Sequence, residues 1–311
     1  MLEGDTAPCA ASMQMPIAAL NDDEGERVDP ELPFIVDAHV HLFSDRIFDA
    51  IWRWFEQHGW RVRYQLHTPQ ALEFLLSRGI GQIVALHYAH KAGIARGMNA
   101  YLAEVCRTNP RVTGLATVFP GEENAPAILE EGFALGLHGV KLHCHVQCFA
   151  VDADPLRELY ETCVRHDMPL VMHAGREPKS TAYGCDPYEI CGVERVDRVL
   201  REHPKLRLCV PHLGADEFEG YERLLEKYDN LWLDTTMMLA DFFPRKPPNR
   251  LILCRPERIM YGTDFPNLPY AWDRELARIR NHGMNDAVLE QVLGKNARAF
   301  FRIPEQAGRV G

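Results

Sequence analysis

From Phe34 onward, apolar runs of strand length alternate with amphipathic stretches of helical length. The runs are FIVDAHVH (34–41), GQIVALHY (81–88), VTGLATVF (112–119), GVKLHCHV (139–146), PLVMHAG (169–175), LRLCVPHLG (206–214), LWLDTTMM (231–238) and RIMYGTDFP (258–266), eight in all. Several are apolar throughout their first half, as strands covered on both faces are. Between them, TPQALEFLLSRG opens with Thr68 as an N-cap and Pro69 as the first helical residue. DPLRELYETCVRHDMP spaces Leu156, Leu159, Tyr160 and Cys163 on one helical face. The stretch DAVLEQVLGKNARAFFRI is expected to close the domain as a helix pair.

Strands alternating with helices predict parallel βα units. An open doubly wound sheet would bring a Gly-rich phosphate turn after its first strand, and no G-x-G-x-x-G follows residue 41. Eight repeats fit a (β/α)8 TIM barrel of about 250 residues. No Pro/Ser-rich linker divides the chain, so a single domain is expected over 33–311. Residues 1–32 include NDDEGERVDPELP, acidic and without periodicity, and are read as an extended or disordered N-terminal arm.

The formal net charge of −10 removes the basic footprint that nucleic acid needs. No apolar run reaches 18 residues, so no membrane span is expected. The first residues lack the charged and apolar regions of a secretory signal, and the nine cysteines are odd in number and scattered. A cytoplasmic protein with reduced, mostly buried cysteines is expected. Cys144 and Cys148 form a C-x3-C pair with no second pair of metal-finger type, which reads as core packing.

Barrels of this kind carry their active sites at the C-terminal ends of the strands. Of fourteen His, seven (39, 41, 87, 143, 145, 173 and 212) fall in the back halves or at the ends of predicted strands. Strict alternation places Asp37, His39 and His41 on one face, and Lys141, His143 and His145 on another. His173, His212 and Asp264 end strands five, six and eight. Neutral imidazoles and carboxylates converging on one barrel mouth are ligands for a divalent ion, with Zn the default for this mixture.

On DAHVH (37–41), GVKLHCHVQCF (139–149), PLVMHAG (169–175), VPHLG (211–214), YGTDFP (261–266) and GKNARAFF, the chain resembles the amidohydrolase superfamily, in its amidohydrolase-related branch of metal-dependent TIM barrels. The resemblance covers about residues 34–303. It implies that His39, His41 and Asp264 hold one metal, joined by His173 in mononuclear members. In binuclear members a carboxylated Lys at the position of Lys141 bridges to a second metal held by His173 and His212. One or two ions per chain are therefore open. Asp264 is the expected acid/base, and His212, where it is not a ligand, polarises the substrate carbonyl or stabilises the oxyanion.

A metal-dependent hydrolase of an amide, lactam or lactone is the expected activity, favoured by the complete set of six positions. A non-oxidative decarboxylase of an aromatic or unsaturated acid is the alternative, and a non-catalytic barrel is the third reading. Arg176 in HAGREP is a candidate substrate-carboxylate ligand or a surface salt bridge. His143 and His145 are candidate substrate contacts. Trp52, Trp54 and Phe55 are expected to pack, and TAYGCDPYEICG is either a lid or a plain connection. The expected partner is a small molecule, with a homodimer as a family-level expectation.

Overall fold

The computed structural model describes residues 18–304. Eight parallel strands appear in the expected places: β1 (Val36–His41), β2 (Gln82–Leu86), β3 (Val112–Gly114), β4 (Val140–His143), β5 (Leu170–His173), β6 (Leu208–Val210), β7 (Leu231–Asp234) and β8 (Ile259–Met260). They are shorter than their apolar runs, because the last residues of each run turn into the loops at the barrel mouth. The strands order as β1-β2-β3 and β4-β5-β6-β7-β8. Parallel bridges between Ala116 and Val140 and between Val40 and Phe265 join the two groups at both seams. The amide of Ala116 donates to Gly139 O at 2.8 Å, and that of His41 to Phe265 O at 2.8 Å. The ring is therefore closed, and the fold is the TIM barrel expected of alternating βα units.

Two local irregularities decide where the polar residues point. The β1–β2 register pairs Asp37 with Ile83 but His41 with Leu86, a slip of one residue between Asp37 and Val40. Such a bulge breaks strict alternation. Asp37 consequently leaves the histidine cluster, accepting from the Thr263 hydroxyl at 2.6 Å and from the amides of Thr263 and His39 at 3.1 Å. Strand β4 ends at His143, and Cys144–Gln147 form one helical turn. His145 therefore does not continue the face of Lys141 and His143.

The helix after β1 spans Asp45–His58, and the next spans Thr68–Ser77 with His67, not Thr68, in the cap position. Thr68 donates its hydroxyl to Phe43 O at 2.9 Å instead. The C-terminal helix pair is nearly continuous: Asp286–Glu290 leads through wider π-type turns at Gln291–Lys295 into Asn296–Phe301. Asn296 donates to Pro256 O at 2.7 Å and Ile259 O at 2.6 Å, stapling this helix to the start of β8.

Residues 1–17 of the expected arm lie outside the described residues. Residues 18–32 have no helix or strand but are tied to the barrel. Asp22 pairs with Arg63 and Arg274 at 2.9 Å each, Gly25 N donates to Asp273 at 2.8 Å, and Leu32 is buried. Among the described residues no helix is long and apolar enough to cross a membrane.

Candidate metal centre and substrate cavity

His39, His41 and Asp264 come together at the mouth of the barrel, each offering a ligand atom within 4.8 Å of the others. Asp264 Oδ1 lies 3.0 Å from His41 Nε2 and 3.4 Å from His39 Nε2. Asp264 has φ +78° and His212 φ +57°. Non-glycine residues in this left-handed region are uncommon and concentrate where a side chain must be aimed.

The far nitrogen of His39 is fixed by a residue that sequence reasoning passed over. Asp234, the last residue of β7, accepts from His39 Nδ1 at 2.9 Å and from the amide of His212 at 3.1 Å. That bond keeps the His39 proton on Nδ1 and leaves the Nε2 lone pair facing Asp264. Asp234 was visible as an acid closing an apolar strand, the same signal that singled out Asp264.

His173 and His212 form a second donor pair. His173 Nε2 lies 3.2 Å from Glu177 O, and His212 Nδ1 lies 3.0 Å from Thr236 O. A carbonyl only accepts, so both protons belong on those nitrogens. The remaining lone pairs, on His173 Nδ1 and His212 Nε2, face each other 3.2 Å apart. Two facing lone pairs repel unless a proton or a cation lies between them, which is the condition of a ligand pair. Burial, then the charge of Lys141, holds the His39 imidazole well below its ordinary range. Burial, then neighbouring His143, does the same to His173. Both stay neutral, the form that binds metal. Burial would raise Asp264, but the His41 hydrogen bond and the surrounding imidazoles outweigh it, so its carboxyl stays below the usual range. The donor set fits a divalent ion.

Lys141 is fully buried, with Nζ 3.4 Å from His39 Nε2. Among the described residues it makes no ion pair with a carboxylate, and burial lowers its amine to about 8. An unpaired buried ammonium is costly, so this amine is poised to lose its charge.

A cavity of about 240 Å³ opens over these groups, and His41, His143, His173, His212 and Asp264 all reach it. Its walls are largely aromatic, with Phe55, Trp60, Tyr88, Tyr183, Phe218 and Phe243, joined by Met237 and Met238. Phe55 packs on Trp60 with ring centroids 4.8 Å apart, as expected, and also lines the cavity, while Trp52 stacks on Phe48. Glu275, also passed over, accepts from the amides of Met237 at 3.1 Å and Leu239 at 2.9 Å. It thereby fixes the turn that brings the two methionines to the wall.

Three sequence candidates are placed away from the cavity lining. His145 is fully buried, with Nε2 2.8 Å from Gly175 O. His87 bonds Asn99 at 3.2 Å. Arg176 pairs with Glu217 at 3.2 Å. His143 does line the cavity, stacked on His173 with ring centroids 4.2 Å apart, because β4 and β5 pair these two residues in register.

The amidohydrolase family model matches residues 36–303. Among solved structures, an uncharacterised TIM-barrel protein from Bordetella bronchiseptica is 21% identical, with a TM-score of 0.64 over 87% of this chain and 99% of that one. An amidohydrolase from Burkholderia multivorans is 16% identical, with a TM-score of 0.65 over 88% of this chain and 100% of the other. A 5-carboxyvanillate decarboxylase from Novosphingobium aromaticivorans, a complex with manganese, is 17% identical, with a TM-score of 0.62 over 91% and 100%. No curated protein sequence matches the chain.

Proposed function

This chain belongs to the amidohydrolase family, and from that premise we propose that it is a metal-dependent hydrolase. Its proposed substrate is an uncharged amide, lactam or lactone carried by an aromatic or otherwise apolar small molecule. The observation that carries the choice is the pairing of the cavity's charges. Glu177 and Asp216 line it together with Asp264, and the lining guanidinium, Arg245, is engaged by Asp216 at 3.4 Å and Glu219 at 3.3 Å. With Arg176 paired to Glu217 as well, both guanidiniums near the site already face protein carboxylates, and the acidic wall disfavours a substrate carboxylate.

A divalent ion held by His39, His41 and Asp264, zinc by ligand preference, would polarise the substrate carbonyl and acidify a water. Asp264, kept ionised by His41, takes the water's proton and passes it to the leaving group. His212 presents a lone pair to the cavity, which suits a ligand or a proton acceptor better than the oxyanion donor expected from sequence. The Tyr88 hydroxyl takes that donor role: it lines the cavity, has no partner among the described residues, and burial keeps it protonated. Lys141 Nζ lies 3.4 Å from His39 Nε2, and a carbamate formed there from CO2 and the uncharged amine would supply a carboxylate ligand for a second ion.

Non-oxidative decarboxylation is the second reading, supported by the aromatic walls and by the 5-carboxyvanillate and 2,6-dihydroxybenzoate decarboxylases among the structural neighbours. One screen separates them. Metal-loaded enzyme is offered aryl lactones, lactams and anilides beside hydroxylated benzoates, in ¹⁸O-water and in D2O. Hydrolysis places one ¹⁸O in the product acid. Decarboxylation releases CO2 and adds one deuteron to the ring, and that outcome with no ¹⁸O uptake overturns the hydrolase assignment. In the active case Asp264→Asn abolishes turnover, and Tyr88→Phe lowers kcat with little change in KM.

A further inference from the structure

Four cysteines surround the helical turn Cys144–Gln147 and the connection after β5: Cys144, Cys148, Cys185 and Cys191. The two outer ones converge on one atom. Cys148 Sγ donates to His145 O at 3.5 Å and Cys185 Sγ to the same oxygen at 3.4 Å, which brings the two thiols side by side. Both reach solvent, Cys148 being exposed and Cys185 half-buried, whereas Cys144 and Cys191 are buried. Cys148 also has φ +52° at the end of its helical turn, a place that favours glycine or asparagine.

The connection that carries Cys185 forms part of the cavity wall. Glu177, Pro178 and Tyr183 line the cavity from it, and Tyr183 stacks on Trp54 with ring centroids 5.1 Å apart. Cys185 lies two residues beyond Tyr183, and Cys148 lies on the loop after β4. A bond between these sulfurs would tie the wall segment to the barrel rim at the residues that meet substrate.

We propose that Cys148 and Cys185 form a reversible disulfide that clamps the wall segment over the cavity, making access to the site redox-dependent. Exposure makes Cys148 the sulfur that meets the oxidant. Cys185, half-buried and held at the same carbonyl oxygen as Cys148, is placed as the resolving partner. With hydrogen peroxide as oxidant, the Cys148 thiolate attacks one peroxide oxygen, the O–O bond breaks, and a sulfenic acid and one water result. The Cys185 sulfur then displaces the sulfenic oxygen, which leaves as a second water with the Cys185 proton. Two thiols and one peroxide give one disulfide and two waters; the sulfurs lose two electrons and the peroxide gains them. A small-molecule disulfide reaches the same product by exchange, releasing two thiols.

The test uses the full chain, oxidised with hydrogen peroxide or oxidised glutathione and mapped by peptide mass spectrometry. A linked Cys148–Cys185 peptide is expected, with two of the nine thiols lost in the wild type and neither of that pair linked in Cys148→Ser. Chymotryptic cleavage after Tyr188 reads the clamp without any substrate. It should slow about tenfold on oxidation and recover with dithiothreitol, because cleavage requires local opening of the segment. Cys148→Ser should show no such change, and Cys144→Ser should behave as wild type. A link between Cys144 and Cys191 instead, or over-oxidised Cys148 beside free Cys185, would overturn the disulfide. Equal cleavage rates in linked and reduced protein would overturn the clamp.

Discussion

Replacing Asp234 separates two roles of one carboxylate. Both of its partners are donors: His39 Nδ1 at 2.9 Å and the amide of His212 at 3.1 Å. Asparagine has the same shape but one oxygen, so it can accept from only one of them. If that oxygen serves the His212 amide, the new NH2 faces His39 and forces its Nδ1 to become the acceptor. The ring proton then moves to Nε2, the nitrogen that faces Asp264, and blocks coordination. Alanine removes both acceptors but leaves His39 free to adopt either tautomer. Loss of such an orienting partner weakens metal binding by about 10–100-fold, or about 1.4–2.7 kcal/mol. Asp234→Asn should fall at the upper end of that range and Asp234→Ala at the lower end. Stability should rank the other way, since alanine leaves a void and an unpaired buried amide costing about 1–3 kcal/mol. Chelator-competition titration with Zn²⁺ and with Mn²⁺, together with urea melts of the metal-free proteins, measures both orders. If alanine binds metal more weakly than asparagine, or both match wild type, control of the His39 tautomer by Asp234 is refuted.

Arg176→Ala should change KM for a neutral substrate by no more than about twofold, because the guanidinium spends itself on Glu217 outside the cavity; a rise of tenfold or more on steady-state assay would restore it as a substrate ligand. Burial holds the His87 imidazole down to about 3. The folded state therefore stays neutral while the unfolded chain takes up a proton below about 6.5, so stability present above that pH is lost as pH falls from 6.5 towards 3. The loss is about 1.4 kcal/mol per pH unit, and urea melts at several pH values should show a slope shallower by about one proton in His87→Gln; parallel slopes would contradict it. Asn296→Ala deletes both staples to Pro256 O and Ile259 O and should cost about 1–3 kcal/mol in a urea melt. Metal affinity should stay unchanged, since the staple lies at the opposite end of β8 from Asp264.

The ring of strands was legible because each apolar run reports its own burial on both faces, a local property that needs no knowledge of neighbours. The strand-end histidines were legible for the same reason: His39, His41, His173 and His212 are polar residues in apolar runs. Two errors share one physical cause. Alternation was carried through Asp37 and through His145, and both times the backbone departs from a regular strand, by the register slip in β1 and by the helical turn that follows β4. Such breaks are set by how adjacent strands pair, which the residues of one strand do not encode.

The walls of the cavity were the least legible part, and this bears on substrate choice. Phe55, Tyr183, Met237 and Arg245 come from three separate connections, after β1, β5 and β7, and reach the cavity only through contacts distant in sequence. Arg176 shows the consequence most plainly. An arginine just past a strand end is a reasonable carboxylate ligand until its own partner is known, and that partner, Glu217, follows a different strand. The same holds for Arg245, whose partners Asp216 and Glu219 lie in that same connection. A guanidinium already facing protein carboxylates has part of its charge offset and gains less from a second anion. The loops after β5, β6 and β7 therefore neutralise their own cations. That leaves recognition to aromatic surface and to the ligand cluster, and it favours a substrate that brings a carbonyl without a charge.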